Sequence, residues 1–166
     1  MAARQGSEPG SLFWDTVAGQ CRAAVVLSPD RALAGSTLVL DLGLLALFDA
    51  LAGLAPPKTP VWIVPPAGIA IDGGAVASVR TDAAATAMGG IPEWAILGIE
   101  VRVSDTGAAP GRSCLADEGF GDVTSADVLS RVCRHLLGWL DVWRTDGAGA
   151  LARAVAGRTG CEALSA

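Results

Sequence analysis

The chain has four cysteines, one histidine and one lysine among 166 residues, and each scarcity closes a route. Cys21, Cys114, Cys133 and Cys161 are scattered with no C-x-x-C spacing, which suits neither a zinc cage nor a disulfide framework. They read as reduced thiols of an intracellular protein. No uninterrupted apolar run approaches the roughly 18 residues that cross a bilayer, and Met1–Ser11 is polar where a secretory signal would be basic and then apolar. The expectation is a cytoplasmic protein with no membrane partner. Positive charge is short as well: 12 Lys+Arg against 17 Asp+Glu leave a net charge of −5. Binding to a phosphate backbone is carried by clustered cations that release counterions, so no nucleic-acid partner is expected.

What is present is apolar material, 51% of the chain, enough for one core. A chain of this length buries about 70% of its unfolded surface in a single domain. The expected organisation is a disordered N-terminus over residues 1–10, one domain over 11–158 and a tail over 159–166. Leu12–Val17 and Ala23–Leu27 are short apolar runs bounded by Gly, Pro and Asp, as strands are. Ser36–Leu54 places Leu38, Leu42, Leu45, Phe48, Leu51 and Ala52 at helical spacing, with Asp41 and Asp49 off that stripe and Pro56-Pro57 after its end. Val61–Val64 and Ile69–Ile71 follow as strands. The turn Asp72-Gly73-Gly74 then leads into Ala75–Arg80, a hairpin signal. Thr81–Gly90 reads as a mobile small-residue loop, Trp94–Val103 as a strand, and Asp105–Arg112 as a second polar loop.

The stretch Arg112–Gly147 is the most telling. Thr124 and Asp127 form a capping pair: the threonine oxygen satisfies an orphan amide of the first turn, and the acid complements the helix dipole. From there Val128, Val132, Leu136, Trp139 and Trp143 recur mostly four apart beside Leu129 and Leu140, which predicts a long helix with one buried face. Gly147 and Gly149 end it, and a frayed helix follows near Ala150–Ala156. The order β, β, α, β, β, β, β, α is α+β, with a mixed or mostly antiparallel sheet and helices packed on one face.

Several of these residues also carry a family likeness. Trp94 to Gly98 (WAILG), Ser113-Cys114-Leu115, Glu118-Gly119, Gly121-Asp122-Val123-Thr124, Arg134-His135, Trp139, Trp143 and Gly147 resemble, in order and spacing, the C-terminal half of the biotin/lipoate A/B protein ligase family. The segment Val61–Arg80 is similar to that family's Trp-Pro-containing strand, Asn-Gly turn and Lys/Arg-Val-Gly-Gly strand. The opening GSLFWDTVAGQCRAAVVLSP resembles the strand pair before its long helix. The likeness covers Gly10 to Arg158 and implies a fold like the ligase catalytic domain. It also implies ATP and biotin or lipoate as ligands, a carrier-protein domain as partner, and transfer of an acyl group from its adenylate to a carrier lysine.

Such chemistry brings a carboxylate and a phosphate together, so a positioned cation and backbone amides must neutralise the developing charge. The ligases use a lysine and a glycine/arginine-rich loop. The sequence has no G-R-G-R segment, and the resemblance starts after the family's N-terminal part, so a sheet strand is expected to be missing. Ala75 stands where the basic residue would precede Val76, and Ala77-Ser78 where a glycine pair would follow. Pro65-Pro66-Ala67 replaces the Trp-Pro-Asx pattern, and Glu100 stands near the place of an asparagine. The sole lysine, Lys58, lies in a proline-flanked loop outside that strand.

By resemblance the candidate ligand-binding residues are Pro66, Ala75, Ala77, Ser78, Arg80, Trp94 and Gly98. No catalytic residue and no metal site are assigned. Arg80 is either the cation that meets a ligand carboxylate or a solvated arginine at a strand end. His135, next to Leu136 on the last helix, is a catalytic base or, on balance, a hydrogen-bonded packing residue. Glu118 and Asp122 bind a cation or serve as turn and cap residues, while Trp139 and Trp143 belong to the core with indole N–H groups in need of partners. Gly119 and Gly121 read as backbone turns.

Two functions stay open. One is an acyl-protein ligase completed by a partner or an upstream segment. The other is a degenerate, non-catalytic relative that keeps the pocket for an acyl cofactor or a carrier domain. Leu12–Val17 or Val61–Val64 is expected to be an exposed sheet edge, which favours a homodimer or hetero-complex.

Overall fold

The computed structural model describes residues 8–33, 37–87, 89–104 and 110–160. Expectations that fall on residues 1–7, on Ser36, on 105–109 and on 161–166 with Cys161 lie outside them. Nine elements follow in order: β1 Leu12–Val17, β2 Gln20–Leu27, α1 Thr37–Ala52, β3 Val61–Val64, β4 Gly68–Ile71, β5 Gly74–Ala83, β6 Ala95–Arg102, α2 Ser125–Asp146 and α3 Ala148–Ala156. The strands form one sheet in the order β1-β2-β6-β5-β4-β3, and every neighbouring pair is antiparallel. The class is α+β with an open sheet, as the element order implied.

Alternation along the strands sends one set of side chains to the helices. Leu97, Ile99 and Val101 of β6 sit opposite Thr81, Val79 and Ala77 of β5, and Ile69 and Ile71 continue the layer onto β4. Helix α1 lies on this face. It is buried nearly all round, at Leu38, Val39, Leu42, Leu44, Leu45, Leu47, Ala50 and Leu51, because the sheet covers one side and α2 with α3 the other. This exceeds the single stripe that its spacing suggested: a helix apolar on every side belongs between two layers. Gly43 sets the approach, since a Cβ there would fall 2.4 Å from Leu97 Cδ1 and 2.8 Å from Val79 Cγ1.

Helix α2 starts as its sequence promised. The Thr124 side chain accepts from the Asp127 amide and the Asp127 carboxylate accepts from the Thr124 amide, a complete capping box. Gly147 (φ 78°) ends it, its N–H donating to the Trp143 carbonyl, while Gly149 lies inside α3 and has no part in the stop. Trp143 is core, and Trp139 donates its indole N–H to Asp49 Oδ2 at 2.8 Å. Arg158 pairs with the other Asp49 oxygen at 3.3 Å and stacks over Phe48 and Trp139, tying the end of the chain to α1 and α2. Cys21, Cys114 and Cys133 are free thiols, and burial pushes all three above the ordinary thiol range.

Most boundaries shift by one or two residues from the sequence reading, and two strands by three. β2 begins at Gln20 rather than Ala23, because pairing with β6 recruits polar residues that show no apolar pattern. β5 runs on to Ala83, so Thr81–Ala83 is strand rather than loop, held against Leu97, Ile96 and Ala95. The β4–β5 hairpin turns on Asp72 (φ 46°) and Gly73 (φ 85°), both left-handed as a two-residue turn of this kind needs. A bulge follows, so that Ile69 faces Ala77 while Ala70 faces Ala75, with Val76 as the extra residue.

The two sheet edges are unlike. β1 pairs only with β2 among the described residues, and all six of its residues are exposed, Leu12, Phe13, Trp14 and Val17 included. β3 is sealed at its middle: the Ile63 N–H donates to the Arg158 carbonyl, and Gly160 N–H to the Ile63 carbonyl. Gly160 lies so close under the Trp62 ring that a Cβ would meet it at 2.7 Å.

Candidate functional site

Among the described residues no helix lies on the other face of the sheet, and the strand registers decide what its centre carries. Ser78 sits opposite Glu100 and Arg80 opposite Gly98 on β5–β6; Arg22 sits opposite Glu100 and Gln20 opposite Arg102 on β2–β6. Two depressions lie side by side here. The larger, about 530 Å³, is bordered by the Val64–Ile69 turn with its cis Pro65-Pro66 bond, by Ala75–Arg80, and by Glu100, Arg102 and Arg112. The smaller, about 120 Å³, is bordered by Arg22, Ala23, Ser78, Arg80, Gly98, Ile99 and Glu100.

Of the residues expected to bind ligand, Pro66, Ala75, Ala77, Ser78 and Arg80 meet in the larger depression and Gly98 in the smaller. Ala77 reaches it from the buried side, packed in the core at 7% exposure. Trp94 borders neither depression: it is half-buried ahead of β6, where its carbonyl accepts from the Ala84 amide. A Cβ on Gly98 would make only ordinary contacts with Arg80, so sterics there do not demand glycine.

Beside Arg80, which the sequence singled out, stand two cations that it concealed. Arg102 ends β6, and Arg112 arrives on a segment that looks like plain loop. The Ala75 amide donates to the Gly111 carbonyl and the Ser113 amide to the Ala75 carbonyl, both at 3.1 Å, so residues 111–113 run as a short parallel strand beside Ala75. Leu115 and Ala116 donate to the carbonyls of Arg102 and Val103 and fasten the same segment to β6. Gly74 permits the crossing, since a Cβ there would lie 2.6 Å from Ser113 Cβ. A guanidinium thus stands beside Ala75, the position that by resemblance lacks its basic residue. No spacing in the sequence announces this; only the bridge does.

Burial, with the neighbouring Arg112 guanidinium second, holds Arg102 below arginine's ordinary value, and an arginine stays charged there nonetheless. Glu100 is the acid that borders both depressions, 3.7 Å from Arg22 and electrostatically felt by Arg102. Neither Arg80 nor Arg112 has an ion pair among the described residues. The arrangement offers fixed positive charge on a partly apolar floor, which suits an organic anion.

The other candidates lie elsewhere. Lys58 (φ 70°) borders a separate depression with Asp72, Asp117 and Glu118, so the lysine does not serve the arginine-lined face. His135 is half-buried on α2 and its imidazole makes no hydrogen bond among the described residues, which departs from the hydrogen-bonded packing role expected of it. Glu118 and Asp122 sit in the turns before α2, and among the described residues no group of three or more His, Cys, Asp or Glu could hold a metal ion. No helix among the described residues is long and apolar enough to cross a membrane.

The sequence matches the model of the biotin/lipoate A/B protein ligase family over residues 1–157. A solved biotin protein ligase-like protein of unknown function from a Silicibacter species superposes with a TM-score of 0.82 and 26% identity, covering 95% of this chain and 70% of that one. The Aquifex aeolicus biotin protein ligase, solved with biotin and ATP, shares the fold at a TM-score of 0.69 and 14% identity, covering 85% of this chain and 58% of that one. The Leishmania major enzyme with biotinyl-5-AMP does so at 0.66 and 14%, covering 89% and 64%. The chain therefore spans less than two thirds of the length of these two ligases. No curated protein matches it.

Proposed function

The chain belongs to the biotin/lipoate A/B protein ligase family, and from that premise we propose that the domain binds an acid of the biotin or lipoate type in its open-face depression without itself forming an acyl-adenylate. The observation that carries this is the meeting of Pro66, Ala75, Ser78 and Arg80 around a depression of about 530 Å³ with arginine on its rim and the lysine elsewhere. An acid of this class has an apolar body and one carboxylate. The backbone and small side chains of β4 and β5 suit the body, and a guanidinium suits the carboxylate through a two-pronged hydrogen bond. Adenylate formation asks for more: the carboxylate must attack the α-phosphorus of ATP while preorganised donors hold the charge that develops. The sequence carries neither the family's lysine nor a G-R-G-R segment for that step.

Titration calorimetry of the purified chain with biotin, lipoate and octanoate, each with and without ATP, tests the proposal. Binding of one acid is expected, with no release of pyrophosphate. No heat from any acid would refute it.

The second reading, an active ligase, draws on the same rim arginines, since they are the kind of charge that adenylate formation needs. On it the acid displaces pyrophosphate from ATP, and a carrier lysine then attacks the acyl carbon and expels AMP. ATP-dependent pyrophosphate release by the purified chain would establish it in place of the first. A carrier domain is the partner that both readings imply.

A further inference from the structure

We propose that Arg102 and Arg112 together form an anion receptor at the end of the depression, built by the bridge of residues 111–113 onto Ala75 and taking the carboxylate or phosphoryl oxygens of the ligand. This rests on the ligand-binding reading above and assigns its charged end. Four features of this corner point to the receptor.

The pair is arranged by backbone. Arg112 leaves a segment fixed on one side to Ala75 and on the other, through Leu115 and Ala116, to the end of β6, where Arg102 itself sits. Main-chain hydrogen bonds thus fix the points from which both side chains leave the backbone, so no segment of chain has to be ordered when an anion binds. Gly74 is the concession that lets the segment lie flat.

The corner is electrostatically unfinished. Arg112 is close enough to Arg102 to disfavour its charge, and like charges brought together on a folded surface cost free energy unless an anion joins them. Neither has an ion pair among the described residues; Glu100 offsets part of the repulsion at Arg102 from a distance, while its ion-pair contact is with Arg22.

The charge runs against the composition. In a chain of net charge −5, four arginines, Arg22, Arg80, Arg102 and Arg112, border the two depressions against one acid, Glu100, while Asp15 and Asp82 share the face outside them. A local field of this sign in an acidic protein draws small anions to one place.

Finally, the depression is continuous from the arginines to the apolar turn at Pro66, so a molecule held by its acid end at Arg102 and Arg112 lays its body along β5 toward Ser78 and Arg80.

The test uses the full chain and its Arg112→Ala, Arg112→Lys and Arg102→Gln variants, with Arg134→Ala on α2 as a control at a separate depression. The probes are inorganic pyrophosphate, AMP, biotin and lipoate, read by calorimetry and by the NMR signals of the arginine Nε–H groups. Each probe that binds is expected to weaken about tenfold or more in Arg112→Ala and Arg102→Gln, by less in Arg112→Lys, and not at all in Arg134→Ala. The melting temperature of Arg112→Ala should stay unchanged, because Arg112 is exposed. Loss confined to pyrophosphate and AMP would identify a phosphoryl receptor, and loss confined to biotin and lipoate a carboxylate receptor. Acids that bind equally to wild type and both variants would overturn the receptor and leave the ligand reading standing. Pyrophosphate bound at these arginines with no acid binding would do the reverse. No binding of any probe to wild type would remove both.

Discussion

On the helix-covered side of the central strands, Val79, Leu97, Ile99 and Val101 are each at most 4% exposed; one residue along on the same strands, the open side carries Ser78, Arg80, Gly98, Glu100 and Arg102. The same backbone thus presents a core and a charged floor separated by the thickness of one sheet. The covered side is where stability resides, because its side chains pack with those of α1, α2 and α3 in one core. The open side contributes little to holding the fold, so its residues are free to be chosen for what they bind. Substitutions on the two sides should therefore separate cleanly.

Leu97→Ala should have the largest effect, a loss of about 2–5 kcal/mol in chemical denaturation, since it empties a fully buried site under α1. A loss below about 1 kcal/mol would mean that α1 can settle into the gap. Gly43→Ala comes next: the added methyl meets Leu97 and Val79 inside van der Waals distance, and overpacking of this kind costs about 1–3 kcal/mol. Pairing it with Leu97→Ala sharpens the point, because the double variant should lose less than the sum if the two side chains compete for one space.

Asp41 sits half-buried on α1, where burial raises its carboxyl above the ordinary value. Such a group binds its proton more tightly when folded, so its cost is absent below the ordinary carboxylate range and grows as pH rises through the folded value. Asp41→Asn should stabilise the protein at neutral pH by an amount that vanishes in acid. An equal gain at both pH values would locate the effect outside the titration. The smallest effect belongs to the open side: Arg22→Ala breaks a 3.7 Å contact to half-buried Glu100 and a hydrogen bond to Gln20, both from an exposed side chain, and should shift stability by under about 0.5 kcal/mol. A larger loss would show the open side to be structural, and the contrast between the faces would fail.

That contrast also governs what could be read from the sequence. The covered side writes itself into periodicity: the apolar stripe of α2, its Thr124–Asp127 cap and the turn at Asp72-Gly73 are local rules with local signatures. Trp139 was legible too as a core residue whose N–H needed a partner, although that the partner is Asp49 was not. The open side has no such code. Arg80 stood out because it ends a recognisable hairpin strand, whereas Arg112 depends on a parallel bridge between residues 37 positions apart, inside a stretch whose composition says only loop. Small residues hid the end of β5 in the same way, for Thr81–Ala83 owes its conformation to β6 and not to its own preferences.

The unequal edges of the sheet carry a consequence for how many copies can join. With Ile63 occupied by residues 158–160, β3 offers no free run to a neighbour, and β1 is the one end left open among the described residues. A sheet with a single free end can be extended by its own kind only once. Two molecules meeting β1 to β1 use up both ends, so growth by strand addition stops at a closed two-fold pair and cannot run on into a fibre.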